Sequence, residues 1–188
     1  MGMPEIADHR SLLDEIERMG GDGADVDAIT RTGADGLRAQ TALDQVFVML
    51  RDDEADVLRM RCAALGDYER GQVHDALGGN LQSVAVPLND GQMLDELFRC
   101  GALAEMDSIA EVAELARAIS PNARVAGIAA DAVRNQGIGY ACVLPIATMD
   151  DVLGVLITAR YGRQALAEED SALLEAVAAT LGAALARS

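Results

Sequence analysis

The C-terminal third of the chain contains the pattern that most restricts its fold: two apolar runs joined by a very short turn. Residues 140–148 and 152–161 are predominantly apolar, and residues 149–151 between them are Met-Asp-Asp. Two such runs with so tight a connection predict an antiparallel β-hairpin. Three carboxylates at residues 168–170 then indicate the start of a last helix, because a helix N-terminus favours negative charge.

Two helices are predicted before the first strand. Apolar residues recur at helical spacing over residues 5–19, and a glycine-rich run then ends that helix and acts as a hinge. The helix that follows contains Gly33 and Gly36, which weaken it because glycine has a low helix propensity. We therefore expect an N-terminal helix and hinge at residues 1–23 and one main domain at residues 24–188.

A second hairpin and a mixed middle region complete the pattern. Residues 43–50 and 57–63 are apolar runs around an acidic turn, so they predict another antiparallel pair. The region between the hairpins alternates predicted helices over 68–77, 93–99, 109–119 and 125–135 with predicted strands over 83–88 and 102–106. Together these elements predict an α+β fold, in which an antiparallel sheet of about five or six strands has helices on both faces.

The charge balance restricts the classes of partner. The 188 residues include 31 acidic and 15 basic side chains, and every basic one is arginine, which gives a formal net charge of −16. Such a charge repels phosphate backbones and anionic lipids, so we expect neither direct nucleic-acid binding nor membrane-surface binding. Two explanations of the missing lysine stay open: a GC-rich genome, or a salt-loving source whose acidic surface stays hydrated while salt screens its repulsion.

The sequence gives no signal for export, membrane insertion or metal binding. Its N-terminus lacks the basic start and apolar run of a signal peptide, and no stretch reaches the roughly 18–20 apolar residues of a membrane span. We therefore expect a cytoplasmic protein. Cys62, Cys100 and Cys142 are odd in number and form no CxxC pair, so they support neither a zinc site nor a disulfide framework.

The C-terminal segment resembles the end of a GAF domain, a small sensory module with a profilin-like or PAS-like sheet. In that family a strand ending with a proline, here Pro145, is followed by a short turn and a strand of the form V-x-G-V-L, here residues 152–156. The family's central region is matched by residues 83–88, 98–101 and 104–107. The resemblance covers about residues 24–187, with Leu166 where many members have phenylalanine.

The resemblance implies a sensory module that binds a small molecule between the sheet and the middle helices, or that dimerises. A mixed pocket for a small polar or zwitterionic metabolite would then contain Asp107, Arg124, Arg134, Tyr140 and Cys142. Tyr140 and Cys142 are two residues apart on one strand and therefore share a face. An alternative explanation stays open, in which Asp107 caps the next helix, the arginines are solvated and Tyr140 belongs to the core.

Other ligands found in the family have little support in these residues. A covalently bound bilin needs a cysteine that usually has a histidine neighbour, and Cys100 has none. Haem needs an axial ligand, but we expect both His9 and His74 at the surface. The family's cyclic-nucleotide pattern includes a lysine, which this chain lacks. The sequence thus identifies no cofactor and no metal site.

Two functions other than sensing stay open. The family includes reductases of free methionine sulfoxide that use cysteines close together in space, so an enzyme acting through Cys62, Cys100 or Cys142 is one alternative. We expect instead that the three thiols pack as small hydrophobic groups and that the chain has no catalytic centre. The other alternative is a purely structural dimerisation module, whose pocket is filled by its own side chains.

The last helix carries an apolar stripe with two possible uses. Leu174, Val177 and Leu181 have the spacing of coiled-coil a and d positions. The stripe predicts that this helix docks on its own sheet, or that the terminal helices of two copies pair. We expect a homodimer of this kind, whose output partner is a histidine kinase or another regulator.

Overall fold

Six antiparallel strands form one sheet in the computed structural model, which describes residues 7–77, 81–88 and 93–188. The strands are β1 (Gln45–Asp52), β2 (Val57–Ala64), β3 (Ala85–Pro87), β4 (Ala104–Met106), β5 (Tyr140–Ala147) and β6 (Val152–Arg160). Their order across the sheet is β3-β2-β1-β6-β5-β4, so the two hairpins meet at the centre, where β1 pairs with β6. The predicted α+β fold and both predicted hairpins are confirmed.

Helices cover both faces of this sheet. They are α1 (Ala7–Gly21), α2 (Val26–Gln40), α3 (Asp67–Leu77), α4 (Met93–Cys100), α5 (Ile109–Ala118), α6 (Ala123–Gln136) and α7 (Glu168–Leu185). The first, second and last of these pack together on one face, and α4, α5 and α6 cover the other, with α3 beside α6. Within the described ranges, no helix combines the length and the apolar character needed to cross a membrane.

Strand β5 is buried on both of its sides. Tyr140, Cys142 and Leu144 belong to the core under α1, α2 and α7, whereas Ala141 and Val143 belong to the core under α4, α5 and α6. Successive side chains of a strand point to opposite faces, so a strand covered by helices on both sides needs apolar residues at every position. This explains why the sequence of β5 is continuously apolar.

Glycines allow the three helices of the first face to approach one another closely. A Cβ atom at Gly20 of α1 would lie 2.6 Å from the Cα atom of Ala184 in α7, and one at Gly36 of α2 would lie 2.3 Å from a methyl carbon of Leu12. Although glycine has a low helix propensity, α2 runs without a break, because tertiary packing outweighs propensity.

The apolar stripe of α7 is used within one chain. Leu174, Val177 and Leu181 are at most 1% exposed and share a core with Leu12 and Ile16 of α1. The stripe therefore docks the last helix on its own sheet, and homodimerisation stays a prediction. The first helix packs against the same core, and the proposed domain division after the glycine-rich hinge also stays a prediction.

Substitution of Gly182 in α7 tests the close packing of this helix against β5. A Cβ atom there would lie 2.1 Å from the carbonyl oxygen of Ala147. We expect Gly182→Ala to lower the free energy of unfolding by about 1–3 kcal/mol, because the added methyl group pushes the helix away from the strand. Urea unfolding measures this change.

Gly127→Ala is the matched control, because Gly127 lies inside α6 and a Cβ atom there would meet no atom within 4 Å. This substitution is expected to raise the free energy of unfolding by about 0.5–1 kcal/mol through helix propensity alone. Equal effects of the two substitutions would contradict the packing described for α7.

Candidate functional site

A cavity of about 620 Å³ lies between the sheet and helices α3, α5 and α6. Its floor consists of strand residues on the face opposite α7, namely Phe47, Met60, Ala141, Ile157 and Ala159. Helix α6 forms the roof along its whole length, from Arg124 to Gln136. This volume lies within the range of about 300–1,000 Å³ that is typical of small-molecule sites.

The walls of the cavity are mainly aliphatic. Val112 and Leu115 of α5 and Ile128 and Val133 of α6 all line the space, and Phe47 is the one aromatic residue in the described lining. An apolar wall with a single aromatic side chain favours burial of aliphatic groups and offers little surface for stacking on a planar ring.

Helix α3 closes one side of the cavity through polar contacts. The Nε2 group of Gln136 in α6 donates a hydrogen bond of 2.7 Å to Oε1 of Gln72 in α3. Glu69, one turn earlier in α3, accepts a hydrogen bond from the hydroxyl group of Tyr161, which follows β6. These two contacts attach α3 to the roof and to the end of the sheet.

Three polar side chains of the lining have no partner within the described part of the chain. Gln45 is half-buried at the start of β1, and Arg124 and Asn135 lie at the surface of α6. None of the three side chains has a hydrogen-bond or ion-pair partner in the described part of the chain. Unpaired polar groups at the margin of an apolar cavity are available to orient a ligand.

The five residues expected in one pocket from the sequence lie in different parts of the structure. Arg124 lines the cavity. Arg134 points to the side of α6, where its guanidinium group lies 3.1 Å from Asp131, and it lines no part of the cavity. Asp107 is exposed, outside the lining, and directly precedes Ser108, whose side chain caps α5 by accepting from the Glu111 amide.

Tyr140 and Cys142 share a face as predicted, but it is the face under α1, α2 and α7. The residue between them on β5, Ala141, is the one that reaches the cavity. The hydroxyl group of Tyr140 donates a 2.6 Å hydrogen bond to Glu105 of β4. Burial, together with this carboxylate, raises the pKa of Tyr140 above its usual value. The two side chains therefore lie in the core, away from Arg124.

Glu69, Gln72 and Asp75 are cavity residues that the sequence analysis did not identify. Their spacing of three residues places them on one face of α3, and this was the one available signal. A polar helix face is usually a solvent-exposed face, however, so the spacing alone does not indicate a pocket.

The three cysteines are not brought together. Cys62 on β2 and Cys142 on β5 are separated by two intervening strands, which places them roughly 14 Å apart across the sheet. Desolvation raises the pKa of each of these buried thiols to about 12. Cys100 is exposed at the end of α4. This arrangement provides no nucleophile with a resolving partner.

Metal binding has no support in the described residues, which contain no group of three or more histidine, cysteine or carboxylate side chains suited to hold an ion. His74, one candidate for a haem ligand, is 69% exposed at its side chain and lies 3.6 Å from Asp75. Its exposure matches the surface position expected from the sequence.

Solved structures of low sequence identity share this fold. The GAF domain of an Acinetobacter phosphoenolpyruvate-protein phosphotransferase has a TM-score of 0.68 at 12% identity, with 98% of this chain and 95% of that chain covered. The phycoerythrobilin-bound GAF domain of a cyanobacterial phytochrome has a TM-score of 0.66 at 14% identity, with 100% and 97% covered.

A third structure with this fold is an enzyme, the free methionine-R-sulfoxide reductase from Neisseria meningitidis in complex with its substrate. Its TM-score is 0.63 at 17% identity, with 100% of this chain and 94% of that chain covered. No protein-family model and no curated protein sequence matches the chain. The chain therefore has a GAF-like fold, and the resemblance inferred from the sequence is confirmed at the level of the fold.

Thiol labelling tests the description of the cysteines. With an aromatic disulfide reagent at neutral pH, we expect one thiol per folded chain to react rapidly, because Cys100 is exposed and the other two thiols are buried and protonated. Cys100→Ser should abolish the rapid phase, and addition of urea should expose the two remaining thiols. Rapid reaction of the folded Cys100→Ser variant would contradict the burial of Cys62 and Cys142.

Proposed function

We propose that this chain is a sensory GAF-like domain, which binds a small polar molecule in the cavity under α6 and passes that binding to an output partner. The observation that carries the proposal is the cavity itself: an aliphatic space of about 620 Å³ whose margin holds the unpaired side chains of Gln45, Arg124 and Asn135. Cavities of this size with a few convergent polar groups are the usual form of a ligand site.

The sheet offers a path from this site to the opposite helices. In β5, Ala141 lies on the cavity floor, while its neighbours Tyr140 and Cys142 lie in the core under α1, α2 and α7. A ligand that shifts the floor therefore acts on the terminal helices through the same strand, because a close-packed core transmits small displacements. A histidine kinase or another regulator, contacted by a homodimer of this chain, is the output that we propose.

The cavity also bears on the two alternative functions. A purely structural module was expected to fill its pocket with its own side chains, and an open volume of about 620 Å³ favours sensing instead. A reductase needs a reactive thiol beside the ligand, whereas Cys62 and Cys142 lie on the other face of the sheet and the exposed Cys100 is outside the cavity lining. The positions of the three thiols therefore favour binding over catalysis in this cavity.

A thermal-shift screen with a library of small metabolites tests the proposal. A ligand present at about 100 times its Kd adds about 2.7 kcal/mol, which should raise the Tm by roughly 5–10 °C in a chain of this size. Ala129→Phe, which places a ring in the cavity, should remove most of this shift.

Ala110→Phe is the matched control, because Ala110 is an exposed alanine of α5 outside the cavity lining. This variant should keep the full thermal shift. If Ala129→Phe and Ala110→Phe respond to the ligand equally, the ligand binds elsewhere and the cavity is not the sensory site. A chain that responds to no ligand would argue against sensing altogether.

A further inference from the structure

Helix α3 forms a different kind of cavity wall from helices α5 and α6. Its described lining side chains, Glu69, Gln72 and Asp75, are all polar, whereas α5 and α6 contribute buried aliphatic side chains such as Val112 and Val133. Burial of apolar surface is the main source of packing energy, so the three polar side chains contribute little of it. The cavity-facing side chains of α3 therefore hold this helix less strongly than those of α5 and α6 hold theirs.

Two side-chain hydrogen bonds attach this wall to other elements. The amide of Gln136 in α6 donates to Gln72 over 2.7 Å, and the hydroxyl group of Tyr161, after the end of β6, donates to Glu69. One such hydrogen bond adds little net stability, because water competes for both of its partners. Contacts of this kind can break and re-form while the two cores on either side of the sheet stay packed.

Gly71 lowers the stability of α3 itself. It lies inside the helix, and a Cβ atom at this position would meet no described atom within 4 Å. Close packing therefore does not require glycine here, in contrast to Gly20 and Gly182. Glycine inside a helix favours the unfolded state, because its backbone has the most conformational freedom to lose on folding. Helix α3 thus combines weak attachment with low intrinsic helix stability.

We propose that α3 is the gate of the cavity, which opens by local unfolding and admits the ligand past Glu69 and Gln72. Segments of low local stability open while the rest of a protein stays folded, and the elements that cover binding sites are drawn from such segments. This inference rests on the proposed function, since it concerns how a ligand reaches the same cavity. Opening breaks the contacts with Gln136 and Tyr161 and exposes the cavity floor to solvent.

Labelling of a thiol on the cavity floor tests the inference without a ligand. Ala159 is buried, lines the cavity and lies two residues before Tyr161. In the Cys100→Ser chain, Ala159→Cys places a thiol on the floor, while Cys62 and Cys142 are buried on the opposite face. An aromatic disulfide reagent should label this thiol at least about tenfold more slowly than it labels Cys100 in the parent chain, because α3 is closed most of the time.

Ala141→Cys provides a second floor thiol, because Ala141 also lines the cavity and pairs with Ala159 across β5 and β6. It gives the same test if Ala159→Cys does not fold. Far-UV circular dichroism and urea unfolding identify the variants that fold like the parent chain.

One pair of variants tests the hydrogen bond between α3 and α6. Gln136→Ala removes the partner of Gln72 without a change in α3, and it should accelerate labelling of the floor thiol about two- to twelvefold, as expected for the loss of one neutral hydrogen bond. Asn135→Ala is the matched control, because this neighbouring amide also lines the cavity but has no partner in the described chain. It should leave the rate unchanged, and equal rates in the two variants would contradict the gate.

A second pair tests local unfolding and has the opposite sign. Gly71→Ala should slow labelling of the floor thiol about two- to fivefold, because alanine stabilises the closed helix. Gly127→Ala makes the same change in α6, again with open space around the added Cβ atom, and should leave the rate unchanged. If Gly71→Ala has no effect, α3 does not open by local unfolding and the proposal is wrong.

The outcomes separate this inference from the function on which it rests. If the floor thiol reacts as rapidly as Cys100, or at one rate in all four variants, α3 is not the gate. A metabolite whose thermal shift is removed by Ala129→Phe then still identifies the cavity as a ligand site. If no metabolite binds, the proposed function fails, and a ligand gate fails with it, whatever the rate of labelling.

Discussion

Burial of the central strands on both sides is the constraint on which the rest of the structure depends. Strands β1, β6 and β5 are interior strands of the sheet, and each supplies side chains to the cores on both of its faces. Because β5 and β6 supply side chains to both cores, the two layers of helices cannot pack independently. The same strands supply most of the cavity floor, so the cavity lies against buried strands that both helix layers share.

The sequence predicted the fold well because its strongest signals are local. Tight turns, apolar runs and an acidic helix start fixed both hairpins and the last helix, and each predicted strand lies within about two residues of its observed bounds. The structural role of Gly36 could not be predicted from the sequence, because Gly36 allows α2 to approach Leu12 on another helix. Propensity describes a residue alone, whereas close packing depends on its partner.

The candidate site was predicted only in part, for two physical reasons. Equal spacing showed that Tyr140 and Cys142 share a face, but only the assembled sheet decides which face of β5 looks toward α6. Arg124 was identified because it lies on the helix over the expected pocket. Glu69 and Gln72 were missed because a polar helix face that closes a cavity has the same sequence as one that faces water.

The junction between α3 and α6 is made by two amides, Gln72 and Gln136. Neither side chain titrates or carries charge, so the strength of their contact is independent of acidification and nearly independent of ionic strength. Exposed ion pairs such as that of Arg18 with Glu15 weaken as salt rises. On a chain of net charge −16, this uncharged hydrogen bond keeps α3 attached to α6 while the surrounding electrostatic field changes with the medium.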